Sequence, residues 1–443
     1  MPLERTRTKF LAVASTNDNS SDSLRNLGVH TVTFQPASTR RNEDRIVSER
    51  WEVRGQTWLF LAVCDGHGGS TTSEYTANML PGRIRASLAE LDVGPSTREE
   101  TESKTGDLPS AISQMLEDEV VRLDNAIGDE LKRICPDPKS LPEDEARKLI
   151  AQNPELVNRA YFGTTLAAAL VNVTSRAMWA VGVGDSTVGI SHLDENHNSV
   201  VQTLADIHCA TNPKEFLRIT LEHPSEESER LLQDNRLLGF LAMTRSIGDF
   251  MFKFDTSYTE SLFQYVPTAF IPRRDIITER NHTPPYLTAR PCVKHIDLAP
   301  LWVDRGLHVV LFSDGIDNLV RWAFHPTESC TAEPLRVVGD LLQLQGGAHS
   351  ASLEQTLGHG VQPRWTENRA VDVLGNLAGG TNAVRLQSVL DATQDSEIYI
   401  DDTSLVILDV SAKPNPNQDL SDRAPWRPAR RVRGDPSQIY LQP

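Results

Sequence analysis

The sequence predicts an α+β protein in which helices pack on antiparallel sheets, and three observations carry that prediction. Short runs dense in Val, Leu, Ile and Ala recur at Trp58 to Cys64, Thr165 to Val171, Met178 to Val183, Leu307 to Phe312 and Leu405 to Val410. Most are bounded by Gly, Asp or Asn, the punctuation of strands. Between them, Ile112, Leu116, Val120, Leu123, Ile127, Leu131 and Ile134 step by three or four, the single apolar stripe of a long amphipathic helix. Strands and helices nevertheless lack the strict alternation of a parallel doubly wound sheet.

Taken along the chain, residues 1–27 are polar and aperiodic and read as a flexible N-terminal arm, and 411–443, rich in Pro and Arg, as a disordered tail. A second helix is expected over Glu74 to Leu91, kinked or broken at Pro81, and a third over Asn368 to Leu377. Segments 92–110, 136–160, 252–285 and 321–366 show no clear period and read as loops or insertions, where specificity could reside. No apolar run approaches the roughly 18 residues of a membrane-spanning helix, so no membrane partner is expected. The start, MPLERTRTKFLAVAS, sets Arg5, Arg7 and Lys9 before a short apolar patch in the manner of a targeting segment, against which Glu4 argues. Mitochondrial matrix and cytosol both stay open.

The 443 residues hold 44 Lys plus Arg against 60 Asp plus Glu, a net charge of −16, which excludes a broad basic face for nucleic acid. Cys64, Cys135, Cys209, Cys292 and Cys330 are scattered, with no Cys-x-x-Cys, the usage of a reducing intracellular compartment. The informative pattern is an aspartate at the end of an apolar run. It occurs as Asp65 in LFLAVCDGHGG, Asp185 in AVGVGDS, Asp314 in VVLFSDG and Asp401 in IYIDD, with the acidic pair Glu43-Asp44 ahead of another candidate strand. Singly, each is more often a turn or a cap. Jointly, strand ends that deliver several carboxylates to one edge repel unless a cation holds them, and hard divalent ions such as Mg²⁺ and Mn²⁺ suit oxygen ligands. Glycine beside Asp65 lets the Gly66 carbonyl turn toward an ion, and His67 suits proton transfer.

The stretches TRRNEDR (39–45), VCDGHGG (63–69), FGTTL (162–166), VGDS (183–186), RLLGFLAMTRSIGD (236–249), LFSDGIDNL (311–319) and DDTSLVIL (401–408) occur in order, and the set resembles the metal-dependent protein phosphatases of the 2C type. VVRLDNAI, NPKEFLRITLEHP, PPYLTARPCV and NLAGGTNAVRL resemble the pyruvate dehydrogenase phosphatase branch. The resemblance covers about 28–410 and implies one phosphatase domain with insertions near 92–160, 252–285 and 321–366. It implies a four-layer α-β-β-α sandwich, two antiparallel sheets flanked by helices. It implies two Mg²⁺ or Mn²⁺ ions, with Asp65 bridging, the Gly66 carbonyl, Asp314 and Asp401 completing one site, and Glu43 and Asp44 ordering water at the other. Asp185 would serve a third ion and Asp249 would support the set from behind. A metal-activated water would attack phosphorus directly, with His67 protonating the leaving Ser or Thr oxygen. The substrate implied is a phosphoprotein, the enzyme a monomer.

Two departures stand out. The phosphate-gripping arginine falls at Thr39 by spacing, with Arg40 and Arg41 following, so Arg40 is the candidate. The acidic position after Ile316 falls on Asn318, and only a shift gives it to Asp317. Among rival readings, Cys330-x5-Arg336 matches a cysteine-phosphatase loop, but Pro334 lacks an N–H and Glu333 would repel phosphate. No nucleotide-binding Gly-rich loop or Gly-x-Ser-x-Gly elbow is present. The alternative is a catalytically weak regulatory or scaffold protein on the same fold, which loss of the metal carboxylates would mark.

Overall fold

The computed structural model describes residues 2–14, 22–36, 41–91, 108–267, 274–302, 305–322, 332–344, 348–393 and 400–410. The tail 411–443 lies outside them. The chain opens on helix α1 (Leu3–Val13), then strands β1 (Val29–Phe34), β2 (Arg45–Val53) and β3 (Gln56–Cys64), and helices α2 (Thr71–Glu90) and α3 (Leu108–Ile134). Helices α4 (Glu143–Gln152) and α5 (Pro154–Tyr161) lead to β4 (Leu166–Asn172), β5 (Ala177–Val183), β6 (Thr187–Leu193) and β7 (Ser199–Thr203). After α6 (Pro213–Glu222) come β8 (Cys292–Asp297), β9 (His308–Phe312), α7 (Pro334–Leu342), α8 (Arg369–Ala378), α9 (Ala383–Leu390) and β10 (Thr403–Asp409).

The strands form two five-stranded sheets, β8-β5-β4-β3-β2 and β1-β10-β9-β6-β7, antiparallel throughout. Strand alternation sorts their side chains. Along β3, Leu59, Leu61 and Val63 face the second sheet and meet Val309, Leu311 and Val406 in an apolar middle layer. Trp58, Phe60 and Ala62 point the other way, to Leu80, Ile84 and Leu88 of α2 and Leu116 and Leu123 of α3. The second sheet turns Phe34, Val310, Phe312 and Ile407 outward to Leu335 and Val338 of α7 and Leu374 of α8. A strand buried on both faces must be apolar at every position, which is why β3 reads as an unbroken run. The architecture is the four-layer α-β-β-α sandwich.

Four expected loop or arm segments need correction. Residues 3–13 are not a loose arm but a helix, because Phe10, fully buried, packs on Phe34 and Trp365 at ring centroids 5.3 and 5.9 Å apart. Within 136–160, expected to be a loop or insertion, α4 and α5 form, and their Ala146, Ile150, Val157 and Ala160 are buried in the core cluster that α2, α3 and the outer face of the first sheet share. Segments 252–285 and 321–366 likewise carry helices, among them Thr256–Ser261 and α7. Pro81 lies inside α2 without ending it, since Leu80, Ile84 and Leu88 pin both sides of the proline to the sheet.

Candidate active site

Register brings the acidic strand ends to one edge. Arg45 pairs with Cys64 and Leu166 with Val183 in the first sheet, and Phe312 pairs with both Thr187 and Leu405 in the second. Glu43-Asp44 before β2, Asp65 after β3, Asp185 after β5, Asp314 after β9 and Asp401 before β10 therefore all lie at the same end of the sandwich.

The joints between the sheets are made here. Asp314 N–H faces Asp65 Oδ2 at 3.4 Å. Ser313 Oγ donates to Asp44 Oδ2 at 2.8 Å and accepts Ser404 N–H at 2.8 Å. The two adjacent acids at the start of β10 divide their tasks. Asp402 accepts Glu43 N–H at 2.7 Å and Gln35 Nε2 at 2.5 Å, so it holds the loop that carries Glu43 and Asp44. Asp401 donates its N–H to Asn318 Oδ1 at 2.8 Å. A neutral amide at 318 is thus a strut for Asp401, while Asp317 sits 3.5 Å from Arg321. Burial, partly offset by Arg321, pushes Asp317 up to about 6.

The carboxyls repel. Burial and the neighbouring Asp44, Asp314, Asp185 and Asp401 hold Asp65 well above the carboxylate range, and burial with Asp185, Asp401 and Asp44 does the same to Asp314. Burial, against a hydrogen bond from Ser313, lifts Asp44 to about 7, and burial raises Asp185. Asp44 Oδ1 and Asp185 Oδ1 are buried with no hydrogen-bond partner among the described residues. None of Asp44, Asp65, Asp185, Asp314 and Asp401 has a Lys or Arg within ion-pair distance among the described residues. Nor, among those residues, is any group of three or more His, Cys, Asp or Glu arranged to hold an ion as it stands. Orphaned carboxylate oxygens and mutually raised acids nonetheless make a donor set that fits hard divalent cations, whose charge would offset the repulsion.

His67 belongs to a second group. Gly66–His67 pairs with Gly163–Thr164 in a short ladder, and Thr165 N–H and Thr164 Oγ1 both donate to the Asp65 carbonyl, at 2.8 and 2.9 Å. His67 Nε2 meets Asp249 Oδ2 at 2.7 Å, which assigns it the proton and leaves Nδ1, buried and without a partner among the described residues, as the other working nitrogen. Burial alone would depress this imidazole. The Asp249 carboxylate, with Asp185 and Glu43, outweighs that and raises it above its ordinary value. Gly163 makes the contact possible, because a Cβ there would collide with both Asp249 Oδ2 and His67 Nε2.

Of the predicted site residues, Arg40 lies outside the described residues, as does Cys330; Arg41 is exposed. The rest stand at one edge, with Asp249 brought to His67 from 182 positions away. Sequence reasoning missed Ser313 and the holding role of Asp402, although both sit inside the quoted motifs. It had the site of Asn318 but not its use.

The mitochondrial pyruvate dehydrogenase (acetyl-transferring) phosphatase 1 of Rattus norvegicus is 26% identical over 277 residues, 56% of this chain and 48% of that protein. Its Homo sapiens counterpart is 32% identical over 165 residues, 35% of this chain and 28% of that one. A protein phosphatase 2C homologue of Schizosaccharomyces pombe is 25% identical over 261 residues, 58% and 52% of the two chains. The chain spans about half the length of the curated relatives it matches. The crystal structure of a Toxoplasma gondii serine-threonine phosphatase 2C aligns with 85% of this chain and 93% of its own, at 16% identity and TM-score 0.47. The family model for protein phosphatase 2C matches residues 36–321, a span that includes Glu43 and Asp314, and the chain belongs to that family.

Proposed function

We propose that this protein hydrolyses phosphoserine and phosphothreonine in proteins, using a water activated by two Mg²⁺ or Mn²⁺ ions. The observation that carries the reading is the set of aspartates gathered at one sheet edge, Asp44 buried and Asp65, Asp185, Asp314 and Asp401 half-buried, with no cationic side chain against them among the described residues. Held by Asp65, the Gly66 carbonyl, Asp314 and Asp401, with Glu43 and Asp44 ordering water and Asp185 serving a third site, the ions would supply positive charge and lower the pKa of the attacking water.

The chain's own residues supply the rest. Ser313, Asn318 and Asp402 fix the carboxylates against one another, so that little reorganisation is needed when phosphate arrives. Arg40 is proposed to grip the phosphoryl oxygens. As water oxygen bonds to phosphorus and the bond to the Ser or Thr oxygen breaks, that oxygen needs a proton. His67 delivers it from the nitrogen Asp249 does not occupy, and the Asp249 carboxylate raises the pKa of the ring, which favours its protonated form. The products are inorganic phosphate and the free hydroxyl. The names of the relatives support a pyruvate dehydrogenase-like phosphoprotein as substrate and the mitochondrion as one compartment. Retention of Asp65, Asp314 and Asp401 argues against a catalytically weak scaffold.

Purified protein assayed for phosphate release from phosphothreonine peptides tests this. Turnover is expected with Mn²⁺ or Mg²⁺, to vanish on chelation and return on resupply, and Asp65→Asn should abolish it. Activity that survives exhaustive chelation would overturn the two-ion reading.

A further inference from the structure

Behind His67 and Asp249 lies a buried ion pair that nothing in the proposed chemistry uses. We propose that Asp124 on α3 and Lys253 are positioning residues for proton donation by His67, an inference that rests on the phosphatase reading above.

The argument runs through consecutive contacts. Asp124 is 6% exposed, in the middle of a helix whose other inward residues are almost all apolar. Its Oδ1 accepts Gly248 N–H at 2.8 Å, and both of its oxygens accept Lys253 Nζ at 2.8 Å. Lys253 Nζ also donates to the Ser246 carbonyl at 2.9 Å. Residues 246, 248 and 253 are thereby tied to one point on α3. The turn they bracket is one the chain would not adopt unaided: Gly248 has φ +85° and Asp249, a residue with a side chain, φ +53°. Inside that bracket Ser246 Oγ donates to Asp249 Oδ2 at 2.5 Å, the same oxygen that receives His67 Nε2. Gly128, one turn along α3 from Asp124, lets the helix lie against Phe250 and Phe254, since a Cβ there would strike both rings.

The pair is a costly thing to bury for stability alone, because two desolvated charges roughly cancel their own attraction. What it does secure is geometry. Asp124 and Lys253 hold the left-handed turn, the turn aims Asp249, and Asp249 fixes the tautomer and ring of His67. Neither residue touches the carboxylates of the proposed ion sites, so the effect of losing them is confined to the step that needs a proton.

That confinement gives the test. The full chain with Mn²⁺ is assayed on a phosphothreonine peptide, whose alkoxide must be protonated, and on p-nitrophenyl phosphate, whose nitrophenolate leaves without a proton. Asp124→Asn is expected to lower kcat on the peptide by about tenfold to a hundredfold with little change in KM, and on p-nitrophenyl phosphate by less than about threefold. The ratio of the two rates is independent of how much of the variant is folded. In a His67→Ala background Asp124→Asn should change that ratio no further. Lys253→Arg, which keeps the cation, should restore most of what Lys253→Met loses. Equal falls on both substrates, or full additivity with His67→Ala, would overturn the positioning role while leaving the phosphatase reading intact. A wild-type chain inert on both substrates would overturn the reading and this inference with it.

Discussion

Glu215 and Asp65 are both acids withdrawn from water, and they are treated in opposite ways. Glu215 on α6 is 1% exposed, yet Arg245 and Arg218 each reach it through two guanidinium nitrogens, and Thr244 Oγ1 adds a bond at 2.8 Å. Burial would raise its pKa, but those arginines pull it down to about 2. Asp65, with Asp44, Asp185 and Asp314 around it, has no such partner among the described residues and titrates upward. The chain answers one buried acid with its own cations and leaves the other set to an outside charge. An acid's depth therefore says little about its purpose, whereas the source of its counter-charge says a good deal.

That contrast can be broken experimentally. The largest effect should come from Asp314→Asn, which is expected to cost on the order of a thousandfold in turnover or more, while the protein in chelator melts no lower than wild type. A large drop in melting temperature would mean that Asp314 is structural after all. Next comes Glu215→Gln, which takes from Arg218 and Arg245 the buried carboxylate they share and should remove about 3 kcal/mol of stability by urea unfolding. A loss below about 1 kcal/mol would erase the distinction between the clusters.

The smallest effect concerns pH. The carboxyl of Asp44 titrates near 7 in the folded chain, above its unfolded value, so the folded state holds a proton that the unfolded state has released. Its presence costs stability as pH rises from about 4 to 7. In chelator, Asp44→Asn should gain on wild type across that window, by up to about 4 kcal/mol at pH 7. Glu215, with its lowered value, has the opposite sign: its contribution is whole above about pH 4.5 and is lost as pH falls toward 2. A flat difference between Asp44→Asn and wild type would show that the outside-charge cluster is not strained.

Much of this was legible in the sequence because the signals are local. Runs 58–64 and 178–183 became strands 56–64 and 177–183, since residues covered on both faces must be apolar whatever surrounds them. The strand-end aspartates were legible for the same reason. What escaped depends on distant partners. Helix α1 turns on one aromatic, Phe10, meeting Trp365; in isolation it is a polar segment of eleven residues, too short to persist in water. Helices α4 and α5 hid behind Pro142 and Pro154, which looked like loop punctuation but stand at or beside helix starts. Ser313 and Asn318 gain their roles only when β9 is laid beside β10.

The pairing of β1 with β10 joins residues 29–34 to 403–408, so the second sheet closes across some 370 residues of chain. During synthesis β1 must wait, unpaired on this edge, for some 370 residues, and Asp401 emerges only with the strand that closes the sheet. Loop closure of that span is slow and exposes an apolar edge meanwhile. The same event that hides the edge delivers a proposed ion ligand, so a nascent chain caught half-made carries no completed acidic edge. Pairing of β1 and arrival of that carboxylate therefore depend on the same stretch of chain.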